Sequence, residues 1–380
     1  MLTALALAAT LQTTPPTAPA QIPPTETPVA VPARNVRSIE SAYLILQRMR
    51  KEAYSSSSHF YGEEWELGRK PNAIAFNWSV GILLSALASA AKTDPKLKEP
   101  LLELANATTS YWNDEGPVPG YDVLPGPKQK DRYYDDNEWL VLALMEAYDA
   151  TKKVDLLVRA RDAYAFVLSG ETKNLGGGIF WRENEKATKN SCSTAPAAYA
   201  ALGLYDRTKD KRYLADAVRL YRWADEKLRD PADGLMWDNV SADGTKIEKT
   251  KWSYNSALML KTEAKLLEMN AIPGLTRTGL LQHAESAAKR WVLPNGGFRD
   301  EAQFAHILFE ALILVDTPAY PPELQRRTLA FLRDDAVDKA GHYGPRWEAK
   351  SEGPVMKPRL MHQASAMRAF AFAAEHGINP

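Results

Sequence analysis

The chain has 380 residues, is 45% hydrophobic and carries no formal net charge at pH 7. It can bury a large core, and its charge gives no electrostatic reason to bind nucleic acid or an anionic membrane surface. The single cysteine, Cys192, excludes an internal disulfide bond and a cysteine-based zinc site. With only six histidines and no His-Glu-x-x-His motif, we expect no metal and no cofactor.

Residues 1–34 are expected to lie outside the folded domain. The run from Leu2 to Ala9 is apolar, and the stretch from Thr10 to Ala33 is rich in proline and threonine and poor in large apolar groups. This order is typical of an export signal followed by a disordered linker, and the alternative is a disordered tail alone. Eight apolar residues are too few to span a membrane. We therefore expect a secreted or periplasmic protein with no membrane span.

Residues 35–380 are predicted to form one domain of helices with almost no alternating strand pattern. Twelve helices are predicted, at roughly residues 36–54, 72–92, 95–112, 135–151, 154–169, 188–207, 210–229, 252–269, 275–292, 300–316, 321–338 and 359–376. The connections after most even-numbered helices are short, whereas those leading into even-numbered helices are mostly long. This alternation predicts six helical hairpins arranged in a ring, with the functional site at the long-loop end.

The helices differ in composition in a way that supports this ring. The seventh predicted helix is amphipathic, with apolar residues at helical spacing from Leu214 to Leu228 and charged residues between them. Even-numbered helices are apolar nearly all round, as in the run from Leu140 to Met145. An inner ring of even helices and an outer ring of odd helices make an all-α fold, an (α/α)6 toroid.

A weak repeat of glycine and an aromatic residue precedes several even-numbered helices. Its copies are Gly176 to Trp181, Asp233 to Trp237, Asn295 to Phe298 and Ala340 to Gly344. The first three recur about every 60 residues, which is the length of one hairpin with its loop. No Gly-Lys-Ser/Thr follows the three glycines and no strand is predicted before them, so a phosphate-binding loop is not expected.

Two adjacent aspartates, Asp135 and Asp136, follow two tyrosines at the predicted start of the fourth helix. Adjacent carboxylates can hold their protons with different affinities. Glycosidic-bond cleavage needs such a pair, with one carboxylate ionised and one protonated. The alternative is a helix cap, because Asp is favoured at the cap and in the first helical turn.

Polar or aromatic residues recur near the N-terminal ends of the other inner helices. They are Asn77 and Trp78, Lys189 and Asn190, Tyr254 and Asn255, Gln303, and His362 and Gln363. Each alone is an ordinary cap or buried polar group. Their convergence on one end of the ring, with Trp65, Trp181, Trp237 and Trp252 nearby, predicts a carbohydrate-binding cleft that contains the aspartate pair.

The segment Tyr134-Asp135-Asp136-Asn137-Glu138-Trp139 resembles glycoside hydrolase family 76, the retaining endo-α-1,6-mannanases. Further segments occur in family order between about residues 70 and 310: Ala147 to Thr151, Gly176 to Trp181, Thr188 to Asn190 and Trp252 to Asn255. The resemblance implies an (α/α)6 fold, with Asp135 as nucleophile and Asp136 as general acid/base. The expected substrate-binding residues are Trp78, Tyr134, Asn137, Trp181, Asn190, Tyr254, Asn255 and Gln303.

This sequence departs from the family pattern at Trp78-Ser79, Ser256-Ala257 and Ala305-His306. The departures spare the aspartates, so the resemblance supports a glycoside hydrolase more directly than a mannanase. Two alternatives remain open: a non-catalytic carbohydrate-binding toroid, and a sugar epimerase-like toroid, which would usually need a histidine base. The expected partner is a polysaccharide or oligosaccharide, and the expected state is a monomer.

Stereochemistry sets a condition on the geometry of the pair. Retention needs the two carboxyl groups about 5–5.5 Å apart. Adjacent residues of a helix point about 100° apart. Retention therefore predicts that Asp135 still lies on the incoming loop.

Overall fold

The computed structural model describes residues 36–126, 128 and 131–380. The signal-like segment and the linker expected for residues 1–34 lie outside the described residues. Within the described part of the chain, no helix combines the length and the apolar character needed to cross a membrane.

Twelve α-helices are present in the described residues, as predicted. They are α1 (Ser38–Glu52), α2 (Asn77–Thr93), α3 (Lys98–Ala107), α4 (Tyr134–Thr151), α5 (Val154–Ser169), α6 (Ser191–Thr208), α7 (Lys211–Leu228), α8 (Ser253–Glu268), α9 (Arg277–Trp291), α10 (Ala302–Val315), α11 (Pro322–Asp334) and α12 (Leu360–Glu375). The predicted third helix is shorter than expected, because 3₁₀ turns precede and follow it.

The even-numbered helices pack side by side in a closed ring, α2 to α4 to α6 to α8 to α10 to α12 and back to α2. The odd-numbered helices lie outside this ring, with α5 on α4, α7 on α6, α9 on α8, and both α1 and α11 on α12. The molecule is therefore an (α/α)6 toroid, and the prediction from the sequence is confirmed.

The pattern of buried residues explains why a helix lies in the inner or in the outer ring. Every residue from Leu360 to Ala373 of α12 is buried, because inner helices contact neighbours on all sides. In α7 only a stripe is buried, which includes Ala217, Tyr221, Ala224 and Leu228 at helical spacing. The opposite face of α7 carries its charges into solvent.

Eight short strands lie in the loops that lead into even-numbered helices. They are β1 (Trp112–Asn113), β2 (Gly120–Tyr121), β3 (Phe180–Arg182), β4 (Glu185–Asn190), β5 (Asn239–Ser241), β6 (Ile247–Glu248), β7 (Phe298–Glu301) and β8 (Arg346–Trp347). β1 pairs with β2, β7 pairs with β8, and β3 to β6 form an antiparallel sheet in chain order.

The strands correct two predicted helix starts. Residues 188–190 and 300–301 were predicted as helix, but they lie in β4 and β7. In β4, Thr188 pairs with Ser241 and Asn190 with Asn239, and the chain turns helical only at Ser191. Each of these strands contains only one apolar residue, so neither shows an alternating apolar pattern in the sequence.

The glycine-rich loop before β3 is held by the buried Lys189. Its ammonium donates to the backbone carbonyls of Thr172, Asn174 and Gly177. Gly178 has φ of 76°, and a Cβ atom there would lie 2.5 Å from the Trp223 ring. Lys189 and the glycines therefore have a structural role, which is to fix the path of β3.

Candidate active site

The aspartate pair lies inside the first turn of α4. Tyr133 is the N-cap residue and is extended, with φ of −107° and ψ of 139°, and the helix begins at Tyr134. The expectation that Asp135 lies on the incoming loop is wrong, because it is the second residue of the helix. Neither aspartate occupies the N-cap position, but both lie in the first helical turn, which the structural alternative also allows.

The partly exposed Trp181 forms a hydrogen bond with the Asp135 carboxylate. Its Oδ2 atom accepts a hydrogen bond from Nε1 of Trp181, with an N···O distance of 3.1 Å. The Trp181 ring is 42% exposed and lies 5.0 Å from the ring of Tyr133. Arg182 covers the Tyr133 ring and forms an ion pair with Asp131, at 2.7 Å. Trp181 thus anchors the carboxylate and still presents an open face to a ligand.

The two aspartates hold their protons unequally. Burial raises the pKa of Asp135, and the hydrogen bond from Trp181 opposes that rise. Burial also raises the pKa of Asp136, and the negative charges of Asp135 and Asp131 raise it further. Asp135 is therefore the group that ionises more readily, and Asp136 is the group that keeps its proton.

Residues at the start of two other inner helices, α6 and α8, lie close to Asp135. Cys192 and Tyr254 are the second residues of α6 and α8, as Asp135 is of α4. The buried Cys192 thiol lies against both Asp135 and Tyr254. Cys192 was not predicted as a site residue, although its position in the helix matches that of Asp135.

A row of stacked aromatic side chains, here called the aromatic wall, runs from Tyr254 through Phe304 to Trp78. Phe304 of α10 stacks on Tyr254, with ring centroids 4.3 Å apart and planes 11° apart. Phe304 also stacks on Trp78 of α2 at 5.9 Å, and Trp252 lies 5.6 Å from it. The structure therefore brings the predicted residues Trp78 and Tyr254 together through Phe304, which was not predicted. Aromatic faces of this kind suit the apolar faces of sugar rings.

Two predicted substrate contacts, Tyr134 and Asn137, face away from the aspartates' cleft. Tyr134 is buried and stacks on Phe166 of α5, with centroids 5.0 Å apart. Asn137 is fully buried; it accepts from the Tyr121 amide at 2.7 Å and donates to the carbonyls of Tyr121 and Tyr133. Both side chains therefore fix the start of α4 rather than offer groups to a substrate.

Three further predicted contacts are nearly sealed from solvent. Asn190 accepts a hydrogen bond from Thr188 Oγ1 at 2.8 Å, and Asn255 lies against the carboxyl group of Asp238. Gln303 donates to Glu301, while its own Oε1 is buried and accepts no hydrogen bond. Because these amides are buried, a ligand would reach them only through side-chain rearrangement.

Histidines and metal ligands do not gather at the pair. Burial lowers the pKa of His306 to about 4 and that of His362 to about 4, so both are neutral near pH 7. In the part of the chain that the structure describes, no group of His, Cys, Asp and Glu side chains is arranged to hold a metal ion.

A ring of helical hairpins with an unequal pair of carboxyl groups beside an aromatic wall defines the class of (α/α)6 glycoside hydrolases. Within that class the chain belongs to glycosyl hydrolase family 76, whose sequence profile matches residues 45–371. The resemblance read from the sequence is confirmed, and it extends well beyond residues 70–310. The protein is a glycoside hydrolase.

Solved structures of the same fold include several family members. An α-mannanase of family 76 from Bacteroides thetaiotaomicron has 25% identity and a TM-score of 0.84, with 90% of this chain and 97% of that chain covered. A family 76 mannosidase from the same species has 19% identity and a TM-score of 0.80, with 90% and 98% covered. No curated protein matched the chain.

A third solved structure contains a ligand. It is an inactive variant of an α-1,6-mannanase from Salegentibacter, in which two consecutive aspartates are replaced by asparagine, in complex with α-1,6-mannotriose. It has 23% identity and a TM-score of 0.72, with 89% of this chain and 99% of that chain covered.

Proposed function

We propose that the protein hydrolyses α-1,6-mannosidic bonds with retention of configuration, using Asp135 as nucleophile and Asp136 as general acid/base. The observation that carries this proposal is the asymmetry of the pair. Asp135 accepts a hydrogen bond from Trp181 that favours its ionised form, whereas Asp136 faces the negative charges of Asp135 and Asp131. One carboxylate ready to attack beside one carboxylic acid ready to donate is what retaining hydrolysis requires.

The proposed roles divide the reaction into two steps. In the first step Asp135 attacks the anomeric carbon while Asp136 protonates the leaving oxygen. In the second step Asp136, now ionised, takes a proton from water, which attacks the glycosyl-enzyme and releases Asp135. The positive end of the α4 dipole stabilises negative charge on either residue as it forms.

Support for a mannan substrate comes from the relatives. One is named an α-mannanase and another an α-1,6-mannanase, and a variant of the latter with two consecutive aspartates replaced is inactive. The aromatic wall of Trp78, Phe304 and Tyr254 offers a stacking surface for a neutral sugar chain. The absence of net charge on the protein suits an uncharged glycan.

Retention limits the distance between the carboxyl groups of Asp135 and Asp136, and their position in one helix affects that distance. Because both aspartates lie in α4, their side chains start about 100° apart. They must turn toward each other to reach the separation of about 5–5.5 Å of retaining enzymes, since about 6.5–9.5 Å would suit inversion. The configuration of the first product is therefore the sharpest test of the assigned roles.

The test is proton NMR of the sugar first released from α-1,6-linked mannan. We expect the α-anomer to appear first, and we expect no comparable release from α-1,2- or α-1,3-linked manno-oligosaccharides. First appearance of the β-anomer would reject Asp135 as nucleophile. Release from another α-glycan only would keep the mechanism and reject the substrate. No release from any α-glycan would reject the proposal and favour carbohydrate binding without turnover.

A further inference from the structure

A third carboxyl group lies behind the pair on the same helix. Glu138 follows Asp135 by three residues in α4, and it is fully buried. Neither of its carboxyl oxygens has a hydrogen-bond partner among the described residues. Oδ1 of Asp135 is also buried without a partner, although Oδ2 of the same carboxylate accepts from Trp181.

Buried polar atoms without partners are costly, and they are uncommon in folded proteins. Residues three apart on a helix are surface neighbours, with Cβ atoms about 5–6 Å apart. The two sets of unpartnered oxygens are thus within reach of each other by side-chain rotation. One proton on Glu138 would give a partner to one Glu138 oxygen and to Oδ1 of Asp135, because a carboxylic acid donates and a carboxylate accepts.

The surroundings of Glu138 favour its protonated form. On α4 it faces Asp135 and Asp136, and it also lies near Tyr164 of α5 and Cys192 of α6. All four are acids, and ionised Glu138 would gain no opposite charge from them. Burial, followed by the negative charges of Asp135 and Asp136, raises the pKa of Glu138 well above its usual range.

We propose that Glu138 is a positioning residue of the active site, which stays neutral and donates its proton to Oδ1 of Asp135. Trp181 then holds the carboxylate from the solvent side and Glu138 holds it from the core side. Two donors on two oxygens fix the plane of the nucleophile and favour its ionised form. This role rests on the proposed function, because it assigns Asp135 as the group that must be ionised.

The test compares two substitutions of similar size. Glu138→Gln keeps an N–H donor, whereas Glu138→Met fills the same space without one. We expect Glu138→Gln to keep kcat/KM within a few-fold of wild type, with an unchanged acidic limb in the pH profile. We expect Glu138→Met to lose about tenfold or more in kcat and to move the acidic limb upward by about one pH unit.

Cys192→Ala is the matched control, because the thiol also lies against Asp135. The proposal predicts that Glu138→Met moves the acidic limb upward by more than Cys192→Ala does. A shift with Cys192→Ala but not with Glu138→Met would make the thiol the donor and overturn the proposal. Equal pH profiles for Glu138→Gln and Glu138→Met would also overturn it, since the role of Glu138 would then be packing alone.

Thermal stability gives a readout that does not depend on hydrolysis. A raised pKa means that folded Glu138 binds its proton more tightly than the unfolded chain does. The resulting stability is fully present below the unfolded pKa and is lost as pH rises toward the folded pKa. The Tm of Glu138→Gln minus that of wild type should therefore increase as pH rises above about 4.3. A difference that stays constant with pH would reject a neutral Glu138, even if the enzyme proved to act on another substrate.

Discussion

Two buried polar clusters lie on the inner helices, and they use the same residue types in opposite ways. The carboxyl cluster is Asp135, Asp136 and Glu138 at the start of α4. The ion-pair cluster contains Glu146, Lys261, Glu310 and Arg368, and Glu146 lies about 16 Å further along α4. Arg368 donates to Glu310 at 2.5 Å and to Glu146 at 2.7 Å, and Lys261 donates to Glu310 at 3.0 Å.

The pKa of Glu310 in the ion-pair cluster shifts in the opposite direction to the pKa values of the carboxyl cluster. Burial alone would raise the pKa of Glu310, but the charges of Arg368 and Lys261 lower it. In the carboxyl cluster burial is reinforced by neighbouring carboxylates, and the pKa of Asp136 rises. Burial therefore does not decide whether a carboxyl group is structural or reactive; the charge of its partners does.

A cavity of about 40 Å³ is lined by all four residues of the ion-pair cluster. Trp78 and Trp139 border it on the side of the aromatic wall, and Glu310 and Arg368 border it on the other side. It has room for only a few water molecules. The residues of the carboxyl cluster do not line this cavity, so its charged wall is formed by the ion-pair cluster.

The largest expected effect is the loss of turnover on removing either acid of the pair. Asp135→Asn and Asp136→Asn should each lower kcat by about 10²–10⁴-fold, because attack and proton transfer both need a carboxyl group. Tm should stay the same or rise, since an amide replaces a buried carboxyl group. Initial rates on α-1,6-mannan and thermal melts measure the two quantities.

Asp149→Asn is the matched control for these variants. Asp149 lies in the last turn of the same helix and forms an ion pair with Arg207 of α6. We expect it to keep nearly full activity. An Asp135→Asn or Asp136→Asn enzyme that hydrolyses mannan as well as Asp149→Asn would remove that residue from the mechanism.

The next largest effect is a loss of stability rather than of turnover, and it comes from the ion-pair cluster. Arg368→Met leaves buried Glu310 and half-buried Glu146 without their main partner, and should lower the free energy of unfolding by about 3–5 kcal/mol at pH 7. Urea unfolding followed by circular dichroism measures the loss. The loss should shrink at acidic pH, because the lowered pKa of Glu310 means that its stabilisation is present above the unfolded pKa and disappears as pH falls.

The double variant of Arg368→Met with Glu310→Gln sharpens this comparison. Removing the stranded charge should restore part of the stability that Arg368→Met loses. If Arg368→Met costs less than about 1 kcal/mol, the ion-pair cluster contributes no more than a surface pair, and the contrast between the clusters does not hold.

A smaller effect is expected from the hydrogen bond of Trp181. Trp181→Phe keeps an aromatic ring and removes only the N–H donor to Asp135, so kcat should fall about tenfold or more while KM changes little. Trp181→Ala also removes the exposed ring face and should raise KM as well. Steady-state kinetics of the two variants separate the roles. Equal kcat for Trp181→Phe and wild type would show that the donor does not tune Asp135.

Much of the fold could be predicted because it rests on periodic patterns. The apolar stripe of α7 and the apolar run in α4 each define a layer without reference to other parts of the chain. The aspartate pair was found because adjacent carboxylates beside aromatics are unusual. The direction of its side chains was not found, because it depends on which residue begins the helix.

The missed site residue Cys192 follows from the same cause. The start of α6 was predicted three residues early, so the first-turn position fell on Lys189 and Asn190 instead of Cys192. Tyr134 and Asn137 are three residues apart and share the face of α4 that packs on α5 and β2. Their neighbour Asp135 points elsewhere on the helix. An error of one residue in a helix start therefore turns the predicted site by about 100° around the helix.

The smallest expected effect is that of removing residues 1–33. This segment has few large apolar groups with which to contribute to a core, so Tm and activity should stay almost unchanged. Differential scanning fluorimetry and initial rates on mannan measure the two outcomes. Both buried clusters should remain intact, because α1 is tied to the far end of the chain, where the Ser38 hydroxyl donates to the Ile378 carbonyl at 2.7 Å. Removing residues 1–40 breaks that contact and should lower Tm clearly. A fall in Tm for the shorter deletion as large as for the longer one would mean that residues 1–33 pack on the toroid.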